Sequence, residues 1–302
     1  MFTRRTLKRW ADQLYITDNN VVKKTLLATT QLALVEPPST ISHLKQHEKR
    51  RLYAFKHKRI NDDVFLDIME AKNNLSSIRG YRYVAVFVCK RSRFTKVYPL
   101  KTRDASVDAL RDFLTDVGSP MKLCFDRAGE FVLDEEFKNE LRKNKIQSWT
   151  SEAYHQHQNR AEPRIRDVKA NIHKILGHSG APPKYWCYAA ELAESLLNLT
   201  AIKSLQWRTP WELCFGDTPD ISALYQFKFY DKIRYTTPGI QFPKNRDLPG
   251  RYLGPSWNVG DLLTYKIEPD DNNKKTNRHI LIHRSAVGKD TGVDKRLSSA
   301  RK

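Results

Sequence analysis

From Val64 onward the chain alternates between short apolar runs and longer periodic stretches. VFLDIME (64–70) is an apolar run carrying one internal acid. YRYVAVFVCK (81–90) is dense in β-branched and aromatic residues and follows a turn signal at Arg79-Gly80, while RFTKVYPL (93–100) alternates and stops at a proline. The three predict strands joined by short loops, an antiparallel meander. DASVDALRDFLTDVG (104–118) places Val107, Leu110, Phe113, Leu114 and Val117 at helical spacing, with Gly118 as C-cap. KLCFD (122–126) predicts a fourth strand ending in an acid, and IQSWTS (146–151) a fifth. Between them DEEFKNELRKNK (134–145) reads as a helix, with acids in its first turn and bases in its last, as the macrodipole favours. PRIRDVKANIHKILGHSG (163–180) and PKYWCYAAELAESLLNLTAI (183–202) predict two further helices.

The order βββαβαβα describes one mixed sheet flanked by helices, of class α/β or α+β. Beyond Thr209 the texture changes to short strands between Pro and Gly turns: DKIRYT (231–236), RYLGPS (251–256), DLLTYKIE (261–268) and RHILIHRSAV (278–287). The expected organisation is a basic N-terminal arm or degraded domain over 1–60 and a core over 61–205. A small β-rich module over 206–287 and a basic tail over 288–302 would follow. Within the arm, Thr3–Leu14 has the pattern of a short helix, and 43–59 could form a basic one.

Composition narrows the function. The hydrophobic content is 40%, and no apolar run approaches the eighteen or so residues that span a bilayer. MFTRRTLKRW is charged from its start and has no signal-peptide apolar region, so a soluble, intracellular protein is expected. Cys89, Cys124, Cys187 and Cys214 never form CxxC, which argues against a disulfide framework or a cysteine zinc clip. The net charge is +19, from 53 Lys and Arg against 34 Asp and Glu. That balance suits a polyanion, and no basic amphipathic helix points to a membrane surface; nucleic acid is the expected partner.

Three acids occupy places where chemistry is expected: Asp67 inside the first strand, Asp126 at the end of the fourth, and Glu162 at a helix start. A charge between Leu66 and Ile68 is costly to bury unless it is paired or holds a metal. Hard divalent cations take carboxylate oxygens, and two of them about 3.5–4 Å apart activate an attacking oxygen and steady a leaving one. The intervals are 58 residues from Asp67 to Asp126 and 35 from Asp126 to Glu162. With this many acids the second spacing arises by chance, so placement on the elements carries the weight.

FDRAGEF (125–131) followed by SEAYHQHQNRAEPRIRDVK (151–169) resembles the central stretch of copia-type retrotransposon integrases. TPWELCFGDTPDISALYQFKFYDKIRY (209–235) and PGRYLGPSWNVGDLLTYKI (249–267) resemble two blocks that follow it there, in the same order. The resemblance implies an RNase H-like fold and a catalytic and metal-binding triad of Asp67, Asp126 and Glu162. It implies Mg²⁺ or Mn²⁺ in a two-metal site, no small-molecule cofactor, 3′-end processing and strand transfer of DNA, and a homo-oligomer acting on element ends and target DNA. Asn159, Arg160, Arg164, Arg166 and Lys169 become DNA-contact residues, and the place of action the nucleus after a cytoplasmic particle stage. Departures are Arg160 where the family often has Gly, and Pro163 directly after Glu162, which predicts a helix starting at Pro163 with Glu162 outside it. His43-x3-His47 is followed by no CxxC, so no zinc is expected. His155 and His157 flank the loop before Glu162, as solvated residues or phosphate contacts. The competing readings are an inactive or host-adopted remnant that only binds DNA, and an RNase H-like hydrolase that only cleaves.

Overall fold

The computed structural model describes residues 4–31, 63–71, 75–125, 134–150, 161–239, 245–270 and 279–290. The meander is β1 (Asp63–Glu70), β2 (Tyr83–Cys89) and β3 (Thr95–Leu100), paired antiparallel. Helix α3 (Ser106–Asp116) leads to β4 (Lys122–Phe125), which lies parallel to β1, and α4 (Glu135–Lys143) leads to β5 (Gln147–Thr150), parallel to β4. The sheet order is β3-β2-β1-β4-β5. Three antiparallel strands continued by two parallel ones, with the crossover helices on one face, make this domain RNase H-like.

Period-two alternation assigns the two faces of the sheet. Val64, Leu66, Ala85, Phe87, Leu123 and Phe125 pack under α3 and α4, where Phe87 stacks on Phe113 at 4.5 Å between ring centroids. Phe65, Met69, Val84, Val86, Val88 and Cys124 pack on the other face, under α5 (Ala161–Ser179) and α6 (Trp186–Leu199). The outer edge of β3 is blunted by α6 rather than left open to pairing. Asn198 accepts from Thr95 N at 2.9 Å and donates to Thr95 O at 2.7 Å, Glu194 accepts from Val97 N at 2.9 Å, and Pro99 has no N–H.

Residues 4–31 of the segment expected to be an arm or a degraded domain are packed against the core. Helices α1 (Arg4–Leu14) and α2 (Asn19–Ala28) contribute Trp10, Leu14, Val22 and Leu26 to the larger core cluster, Trp10 and Val22 at 0% exposure. Asp18 caps α2 through Asn20 N, and Ala201 N donates to Thr25 Oγ1 at 3.0 Å. Thr30 exchanges backbone hydrogen bonds with Pro219 and Ile221. The basic composition of 1–60 concealed this because Arg5, Lys8 and Arg9 line the outer side of α1 while its few apolar residues turn inward. The segment 43–59 and the tail from 291 lie outside the described residues.

Thr209 accepts from Glu212 N and starts α7 (Pro210–Phe215), which Gly216 closes at φ 80°. A second, antiparallel sheet follows: β6 (Lys232–Thr236), β7 (Asp247–Pro255), β8 (Tyr265–Pro269), β9 (Ile282–Arg284) and β10 (Val287–Lys289), ordered β10-β6-β7-β8-β9. Its own small core holds Ile233, Tyr235, Tyr252, Tyr265 and Ile267. Within the Pro249–Gly254 block the consecutive residues Tyr252 and Leu253 are both buried because they face opposite ways, into the small core and the large one. Gly250 has no room for a side chain, since a Cβ would meet Glu268 O at 2.8 Å.

The sheet is fastened to the core by polar contacts. Tyr185 donates to Glu268 at 2.6 Å, His279 Nδ1 meets the other Glu268 oxygen at 3.0 Å, and Tyr188 meets His279 Nε2 at 2.7 Å. Burial alone would raise the Glu268 pKa, but the bonds from His279 and Tyr185 hold it below the ordinary value.

Candidate active site

Asp67 lies midway along β1, opposite Val86 of β2 and half-buried. By alternation with Phe65 and Met69 it belongs to the sheet face that α5 and α6 cover. Its Oδ1 accepts from Ile68 N at 2.8 Å, which fixes one carboxylate oxygen against the strand backbone. The parallel register sets Phe125, the last residue of β4, beside Leu66, so β4 ends one position short of the level of Asp67. Asp126 is the next residue in sequence and lies outside the described residues, as do Asn159, Arg160, His155 and His157. Among the described residues no group of three His, Cys, Asp or Glu is arranged to hold a metal, a set that does not include Asp126.

Glu162 is exposed and stands within the first turn of α5. This corrects the expectation that the helix begins at Pro163 with the acid outside it. The first four N–H groups of a helix have no intrahelical partner, so a proline there breaks no bond, and its fixed φ suits the turn. Steric pressure from Pro163 on Glu162 is outweighed by anchorage just downstream, where Arg164 and Ile165 are both buried.

Arg164 is also corrected. The resemblance implies a DNA contact here, yet the side chain is only 8% exposed and its bonds run inward. Its Nε donates to Thr95 Oγ1 at 2.7 Å and its Nη2 to Arg93 O at 3.0 Å and Leu197 O at 3.4 Å, with Asp167 at 3.5 Å from Nη1. Burial lowers the guanidinium pKa, and Asp167 acts the other way. The sequence held a signal for this, since residues 164, 168, 172 and 175 recur at helical spacing on the apolar side of α5. Arg166 and Lys169, by contrast, are exposed, and with His173 they form a solvent-facing stripe along the same helix.

A cavity of about 730 Å³ opens between β3, α3, α6 and the β7–β8 loop, and its lining includes neither Asp67 nor Glu162. Its wall carries Glu194, whose pKa is raised to about 7, first by burial and then by the nearby Glu191, against the opposing pull of Lys96. We give it no part in the chemistry of Asp67, because the sheet edge rather than the sheet centre borders it.

No family model matches the sequence. The retrovirus-related Pol polyprotein from transposon RE2 of Arabidopsis thaliana is 30% identical over 160 residues, 50% of this chain and 11% of that protein. The corresponding polyprotein from transposon RE1 is 28% identical over 164 residues, 51% of this chain and 10% of the relative. The chain thus spans about a tenth of the length of the curated relatives it matches. Among solved structures, the catalytic core domain of HTLV-2 integrase in complex with magnesium aligns with TM-score 0.43 and 19% identity, over 52% of this chain and 97% of that one. A chain of the simian T-cell lymphotropic virus intasome in complex with the PP2A regulatory subunit B56 gamma aligns with TM-score 0.46 and 17% identity, over 80% of this chain and 81% of that one.

Proposed function

We propose that this chain, a homologue over half its length of the Pol polyproteins of plant copia-type retrotransposons, is an integrase that processes and joins DNA 3′ ends. The observation that carries the reading is Asp67, a carboxylate inside an apolar central strand, on the face covered by the helix whose first turn bears Glu162. The parallel neighbour β4 ends beside Leu66, one position short of Asp67, and Asp126 is the next residue in sequence.

Asp67, Asp126 and Glu162 would hold divalent cations, Mg²⁺ or Mn²⁺, because carboxylate oxygens are the donors such hard ions prefer. When bound, those ions supply an activated attacking oxygen and charge stabilisation at the phosphate for in-line displacement. The protein's own part is positional. β1 fixes Asp67 in the sheet with one oxygen tied to Ile68 N, and α5 presents Glu162 from an exposed turn. Arg166 and Lys169 on the same helix neutralise DNA phosphates. In processing, water attacks a phosphodiester near the element end and a DNA 3′ oxygen leaves as 3′-OH. In joining, that 3′-OH attacks a target phosphodiester and a target 3′ oxygen leaves, so no side chain becomes covalently attached. The partners are element ends and target DNA, engaged by an oligomer of this chain, and the site of action is the nucleus.

The test is strand transfer of an oligonucleotide with a free 3′-OH into plasmid DNA, in Mg²⁺ or Mn²⁺. Joined product is expected for the wild type and loss of it for Asp67→Asn, with melting temperature and DNA affinity retained. DNA binding without any joined product from the wild type would refute the enzyme and leave a DNA-binding remnant. Cleaved but never joined DNA would leave a hydrolase.

A further inference from the structure

The first turn of a helix is its weakest part, with unsatisfied N–H groups and no preceding turn to pack on. In α5 that turn carries Glu162 and Pro163, both exposed, so neither side chain ties it down. Two residues do: Ile165, in the core cluster, and Arg164. The guanidinium reaches three separate pieces of backbone or side chain. These are the Thr95 hydroxyl at the start of β3, the carbonyl of Arg93 in the β2–β3 turn, and the carbonyl of Leu197 near the end of α6. Thr95 is itself held, at 0% exposure, by reciprocal bonds with Asn198, so the fork engages a rigid acceptor. Arg93 adopts φ 56°, a left-handed turn conformation that aims its carbonyl at the fork at 3.0 Å. An apolar side chain would fill the same space without the penalty of burying a charge, and the guanidinium's ion-pair partner among the described residues, Asp167, is 57% exposed. A buried fork on three neutral acceptors is therefore better suited to setting an orientation than to adding stability.

We propose that Arg164 is a positioning residue for the Glu162 carboxylate, pinning the first turn of α5 to the edge of the sheet and to α6. The proposal rests on the integrase reading for its catalytic consequence, and on geometry alone for its structural one. Arg164→Lys keeps a charge but cannot span three acceptors. Thr95→Val removes the hydroxyl that accepts from Arg164 and itself donates to Arg93 O at 3.1 Å, while keeping the backbone bonds of β3. Mn²⁺ binding to the full chain, followed by the electron paramagnetic resonance of the free ion, is expected to weaken about ten-fold in both variants. Strand-transfer turnover is expected to fall in parallel, with the KM for DNA unchanged. Hydrogen exchange is expected to quicken at residues 164–168 and not in α6. Mn²⁺ binding, turnover and exchange all at wild-type levels would overturn the proposal. So would a uniform loss of protection across the whole core, the mark of a purely structural residue. If the wild type neither binds Mn²⁺ nor joins DNA, the integrase reading fails, and the exchange pattern alone decides whether Arg164 holds the turn.

Discussion

Trp10→Ala tests whether the basic N-terminus is part of the folded body. The indole is fully buried in the larger core cluster, with its ring 5.6 Å from that of Tyr225. Beside it, Arg9 lies 3.7 Å over the Tyr225 ring, and Arg9 and Gln13 donate to the Tyr225 carbonyl at 3.3 and 3.2 Å. Truncating a buried tryptophan to alanine removes its transfer free energy and leaves a cavity, together about 3–5 kcal/mol. At roughly 2–4 °C per kcal/mol for a chain of this order of size, the melting temperature should drop by about 6–20 °C. Trp10→Phe separates packing from polarity. The indole Nε1 is buried with no hydrogen-bond partner among the described residues, so losing it leaves no acceptor unpaired, and phenylalanine retains most of the contact. That variant should lose clearly less than Trp10→Ala, because it leaves the smaller cavity. Differential scanning fluorimetry, with urea denaturation for the free energies, measures both. A Trp10→Ala protein within about 0.5 kcal/mol of wild type would refute the docking, because that is the response of an exposed residue on a loose arm.

Glu194→Gln should alter stability in a pH-dependent way. The folded pKa of about 7 lies above the ordinary glutamate value, so the stability linked to its proton is present below about pH 4.5 and lost as pH rises through 7. At 14% side-chain exposure the charged form then costs up to about 3 kcal/mol, and glutamine escapes it. The variant should melt higher than wild type at pH 8.5 and alike at pH 4; an equal offset at both pH values would refute the assignment. Arg166→Ala with Lys169→Ala should weaken DNA binding alike for all sequences and lower the slope of log affinity against log salt by about one per residue. An unchanged slope, measured by fluorescence anisotropy, would move the DNA to another surface.

The apolar patterning of the chain was sufficient for the strands of the first sheet, because each reads as a β-rich run bounded by turn signals, and β1, β2 and β4 are buried on both faces. It also marked Asp67, since an acid inside such a run is conspicuous without any knowledge of the partner strands. The family blocks after Thr209 were legible as sequence, and the structure supplies their physical content. Thr209 and Gly216 cap a short helix, Gly250 permits a close approach, and Tyr252 and Leu253 serve two cores.

What the sequence by itself determined was local: the order of strands and helices, the caps, the spacing of the three acids and the excess of positive charge. These follow from interactions over a few residues, or from simple counting, and survive without tertiary information. What only the tertiary structure decided was which polar groups are spent inside. Arg164 and Arg166 are two residues apart on one helix and of the same type. Helical spacing puts 164 on the apolar side, but only the tertiary structure supplies the acceptors that let a guanidinium be buried there. One is drawn in because Thr95, Arg93 and Leu197 converge on it from elements up to 71 residues away, and the other is left in solvent. The same reason turned basic residues 4–14 into a docked helix, for Tyr225, which meets Trp10, Arg9 and Gln13, lies more than 200 positions later in the chain.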